Sequence, residues 1–61
     1  MWHKLIAYCH LTKTVTVERN GPDYRLIYDD VDTGEYSTRP LAAIDDKIAL
    51  GLAAVFCALV T

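Results

Sequence analysis

The sequence predicts an α+β fold: a three-stranded antiparallel β-meander followed by one apolar C-terminal α-helix. Three observations carry that prediction. Alternating and β-branched residues occupy positions 14–38, interrupted by two turn signals. Pro40 cannot donate to a strand ladder and suits a first helical turn. The last fourteen residues, 48–61 (IALGLAAVFCALVT), hold no charge and no strongly polar side chain before the terminal threonine. A helix of that composition is apolar all round and cannot lie uncovered on a water-soluble monomer, so the chain itself, another copy, a partner or lipid must hide it.

The first strand is expected near 5–19. In WHKLIAYCHL, Trp2, Leu5, Ile6 and Cys9 match helical spacing, whereas Leu5, Ala7, Cys9 and Leu11 match a strand. The segment enters the alternating TVTVER without a breaker, which favours the strand. Asn20-Gly21-Pro22-Asp23 then supplies turn chemistry. A loop over those positions pairs Arg19 with Tyr24, Glu18 with Arg25, Val17 with Leu26 and Val15 with Tyr28. In this register apolar pairs share one face and an ionic pair takes the other. The second strand is expected near 24–31. Asp32-Thr33-Gly34 fits a three-residue hairpin loop with glycine in the left-handed conformation, leading to a third strand near 35–39.

The helix is expected near 41–60, beginning between Pro40 and Asp46, with Asp45 and Asp46 favouring its positive end. Leu41, Ile44, Ile48, Leu52, Val55 and Leu59 recur at steps of three and four and make a bulky stripe. Ala49, Ala53 and Cys57 form a second line of small residues that permits close approach of another backbone. The expectation is that the bulky stripe covers the chain's own sheet. The small line, with Phe56 and Tyr36, would then remain for self-association or a partner. Tyr8, Tyr24, Tyr28, Tyr36, Trp2, Arg25 and Arg39 are residue types that recur in binding hot spots, although Tyr24, Tyr28 and Tyr36 read first as cross-strand packing.

Composition narrows the function classes. Sixty-one residues make one small domain with a marginal core, the kind that gains from self-association. A net charge of -2 leaves no basic surface for many phosphates, so nucleic acid is disfavoured. With 52% hydrophobic and 23% charged residues, disorder is disfavoured too. Cys9 and Cys57 are too sparse for a disulfide scaffold and read as separate thiols. The apolar stretch near Leu5 is too short for a secretory signal, which makes a cytoplasmic location the expectation.

No catalytic constellation emerges. Asp32-Thr33-Gly34 matches the core triplet of aspartic proteases, whose mechanism needs two carboxylates sharing a proton, but it occurs once in a chain far shorter than such lobes and reads as a hairpin turn. Asp30, Asp32, Gly34 and Glu35 lack the EF-hand spacing for calcium. His3, Cys9, His10 and Cys57 are zinc-ligand types, but no CxxC or HxxxH pair brings them together. Ser37 has no glycine flanks, Cys57 lies in an apolar helix that disfavours a thiolate, and the three glycines are too far apart for a phosphate loop.

No metal, cofactor or enzymatic role is therefore expected. The reading is a small interaction or accessory protein, self-associating through its C-terminal helix. Its uncatalytic brevity is in the style of modulators of host proteins encoded by phages or mobile elements. The runner-up is a membrane-associated protein using the helix as an anchor. Residues 48–61 span only about 21 Å against a hydrocarbon core of about 30 Å, and extension to Leu41 brings in Asp45, Asp46 and Lys47.

Overall fold

The computed structural model describes residues 1–60. Four strands, β1 (His3–His10), β2 (Lys13–Asn20), β3 (Asp23–Asp30) and β4 (Glu35–Leu41), precede a single helix, α1 (Asp46–Val60). They form one antiparallel sheet in the order β1-β2-β3-β4. An α+β fold of sheet followed by helix is therefore present, with four strands in place of three.

The extra strand comes from a bend inside the segment expected as one strand near 5–19. The N-terminal residues do form a strand, but β1 folds back on β2 through Leu11 and Thr12. Leu11 adopts φ 55°, a left-handed conformation that costs a residue with a Cβ about 1–2 kcal/mol. Thr12 holds the turn in place from both of its ends. Its carbonyl accepts the Val31 N–H at 3.1 Å, and its hydroxyl donates to the Asp30 carboxylate at 2.8 Å. Asp30, itself buried, also accepts the Asp32 N–H at 3.0 Å, so one carboxylate ties the β1–β2 and β3–β4 turns together.

Between β2 and β3 the register is the expected one: Arg19 opposes Tyr24, Glu18 opposes Arg25, Val17 opposes Leu26 and Val15 opposes Tyr28. The turn is tighter than expected. Asn20 and Asp23 pair as well, leaving Gly21 and Pro22 as its centre, and Gly21 takes φ 60° as a leading turn glycine does. At the next turn Gly34 has φ 75° and donates its N–H to the Asp30 carbonyl at 2.8 Å. That loop starts at Val31, one residue before the expected triplet.

β4 runs past its expected end to Leu41, because Pro40 is tolerated on an edge strand. Leu41 therefore pairs with Tyr24 on the sheet, and Ile44 precedes the helix; neither belongs to a helical stripe. The helix starts at Asp46, not near 41. Asp45 is its N-cap: its carboxylate accepts the Ile48 N–H at 2.9 Å and its carbonyl accepts the Ala49 N–H at 3.1 Å.

The helix crosses one face of the sheet antiparallel to β2. At its start Asp46 accepts hydrogen bonds from Arg19 at 2.9 Å and from the Tyr24 hydroxyl at 2.6 Å. At its other end Lys13 donates to the Val60 carbonyl, so the sheet supplies the cation that the last helical turn lacks. Between these ties lies the core of Val15, Val17, Tyr24, Leu26, Tyr28, Ala49 and Ala53. On the far face Arg25 stacks on Trp2, 4.1 Å from the ring centre, and bonds Glu18 at 2.6 Å.

Candidate functional site

The faces of α1 are used the opposite way round from the expectation. Ala49 and Ala53 are 0% exposed and sit on the sheet, while Ile48 is 41%, Leu52 40%, Val55 60% and Leu59 80% exposed. The small line, flanked by Leu50, Phe56 and Val60, lies on the inner face, and the helical part of the bulky stripe is on the outer one. The reason lies in the sheet: Tyr24, Leu26 and Tyr28 project large side chains toward the helix. Close-packed interiors fit large groups from one layer against small groups from the other.

The other residues expected at a partner surface are also placed differently. Phe56 packs inward, with its ring edge-on to Tyr28 at 5.6 Å and the Arg39 guanidinium 4.9 Å from its centre. Cys57 is half-buried beside Tyr8, Val15 and Val60, and burial pushes its thiol above the usual range, which weakens it as a nucleophile. Tyr36 is exposed, but it pairs with Asp29 and so lies on the sheet face away from the helix. Ala49, Ala53, Phe56 and Cys57 are therefore packing residues of the domain, and Tyr36 stands apart from them.

What the helix presents outward is a continuous apolar surface. Ile48, Leu52, Val55 and Leu59 form a ridge, and Gly51, Ala54 and Ala58 form a low row beside it; all seven are exposed. Lys47 at the first turn is the charge on this side of the helix. Gly51 has a particular status, since an added Cβ would meet nothing within 4 Å. Packing inside the domain gives no reason for a glycine there, although glycine in a helix interior costs about 1 kcal/mol relative to alanine.

Polar groups elsewhere are committed to holding the fold. The Tyr24 hydroxyl is raised above its ordinary pKa, first by its hydrogen bond to Asp46 and then by burial. Asp30 is held below the usual carboxylate range, chiefly by the Thr12 hydroxyl. A cleft of about 460 Å³ opens at one corner, lined by Trp2, Tyr24, Arg25, Thr38, Pro40 and Leu41 among others. Its guanidinium, Arg25, is already engaged by Trp2 and Glu18. Among the described residues no three His, Cys, Asp or Glu side chains converge as a metal site.

None of the described helices is long and apolar enough to cross a membrane. Comparison with protein-family models, with curated proteins and with solved structures finds no match for this chain.

Proposed function

We propose that this protein acts by binding another protein, not by catalysis, and that the outer face of α1 is its docking surface. The observation that carries the reading is the exposed ridge of Ile48, Leu52, Val55 and Leu59 on a helix whose inner face already completes the core. A bulky side chain of this kind contributes about 1.5–3 kcal/mol when fully removed from water. Four in a row, rimmed by small residues and one lysine, have the composition of an interface core and not of a solvated helix face.

The test compares the wild-type chain with Val55→Glu. Helical circular dichroism and the melting temperature of dilute protein should change little, because Val55 is 60% exposed and is not among the residues of the core cluster. Association should be lost, read as the concentration dependence of mass in light scattering and as retention of protein on immobilised chain. The reading fails if the wild type neither self-associates nor retains any protein that Val55→Glu does not. It fails equally if the wild type binds only lipid vesicles.

A further inference from the structure

We infer that the occupant of the outer face is a second copy of this chain, with the two α1 helices antiparallel across a two-fold axis. The inference rests on the docking reading above and names the partner. Three features of the face support it.

The ridge positions, 48, 52, 55 and 59, step by four, three and four, a spacing that reads the same in either direction. An antiparallel copy therefore meets it in register: Ile48 opposes Leu59 of the second copy, and Leu52 opposes Val55 of the second copy. Each pair occurs twice, as an isologous interface requires. A four-three-four step is also the spacing that keeps a seam facing a partner helix.

Charge is the second feature. The outer face carries Lys47 at its start, and the last helical turn has no basic residue of its own. The final carbonyls of a helix lack intrahelical partners and form its negative end. Lys13 serves the Val60 carbonyl from within the chain. In the antiparallel pair, Lys47 of the second copy arrives beside that same turn. A parallel pair would instead set Lys47 against Lys47 and align the two helix dipoles.

The third feature is room. At 100° per residue the row of Gly51, Ala54 and Ala58 lies beside the ridge, so in the two-fold pair it faces its own copy and lets the backbones come close. The open space above Gly51 is what such an approach needs. Because each sheet lies behind its own helix, the two domains would stack as sheet, helix, helix, sheet. The helix is about 22 Å long and about 10 Å wide, so each copy contributes on the order of 350 Å². That is under half of the roughly 800 Å² per partner of a standard interface, so the pair is expected to be weak and strongly concentration-dependent.

The decisive variant is Gly51→Leu. It adds apolar surface to the face, so non-specific adhesion would strengthen, whereas a close-packed pair should weaken at least ~10-fold in sedimentation equilibrium. Orientation is read by mixing Ile48→Cys and Leu59→Cys chains in a Cys9→Ser, Cys57→Ser background under mild oxidation. Mixed disulfides joining position 48 to position 59 should dominate by mass spectrometry. Dominant 48–48 and 59–59 bridges, or tighter association of Gly51→Leu, would overturn the inference. A chain that is monomeric at millimolar concentration, yet retains a different protein through a Val55-dependent contact, overturns the inference while leaving the docking reading intact. Loss of both overturns both.

Discussion

The two sides of α1 are built from similar residues and meet different fates. On the inner side Ala49 and Ala53 are completely buried, with Leu50, Phe56, Cys57 and Val60 packed around them; on the outer side Ile48 and Leu52 are about two-fifths exposed and Val55 and Leu59 more so. Hydrophobicity alone would bury the larger side chains first. The sheet decides otherwise, since Tyr24, Leu26 and Tyr28 already fill the space between the layers. Which face of an apolar helix turns inward is thus a matter of volume matching, and the face rejected by the core becomes the one available to a partner.

This contrast can be broken from the inner side at the greatest cost. Leu26 is one of the largest fully buried side chains, and Leu26→Ala should destabilise the domain by about 2–5 kcal/mol, measured by urea denaturation, because it leaves a cavity beneath the helix. Ala53→Leu should cost about 1–3 kcal/mol by overpacking the same gap. If Ala53→Leu were neutral, the close approach of helix and sheet would not be what selects small inner residues. Removing the N-cap with Asp45→Ala should cost about 1 kcal/mol, seen as a lower thermal midpoint. The outer side should respond least: Leu59→Gln, at the most exposed ridge position, read as the stability of dilute monomer, should stay within about 0.5 kcal/mol. A large loss there would show that the outer ridge belongs to the core after all.

The parts legible in the sequence were those with local chemistry. Gly21 and Gly34 mark their turns because each needs a positive φ, and alternation fixes the β2–β3 register through Val15, Val17, Leu26 and Tyr28. Asp45 near the helix start is readable for the same reason. The β1–β2 turn carries no such mark. Leu11 is an unfavourable residue for its conformation, and what stabilises the bend is Asp30, distant in sequence and bonded to Thr12.

That tie has a pH signature. Asp30 is more acidic in the folded state than when unfolded, so its contribution is present above the ordinary carboxylate range and fades as pH falls through the folded value. Thermal melts between pH 6 and pH 2 should show a decline that Asp30→Asn flattens. The inward face of the helix is not legible for a related reason: the stripe and the small line are both visible in the sequence, but the choice between them depends on the large side chains of β3.

The order of the strands has a consequence in time. Every strand pairs with its sequence neighbour, so each hairpin can close on the scale of about 1–10 µs without waiting for distant chain. The helix is the exception: it follows all four strands, and it returns to lie over β2 and β3. Until residues 46–60 arrive, Val15, Val17, Leu26 and Tyr28 form an uncovered apolar sheet. A nascent chain or a C-terminally clipped product therefore exposes the surface that the finished protein conceals, and the stretch that closes the fold is the same one that turns its other side outward.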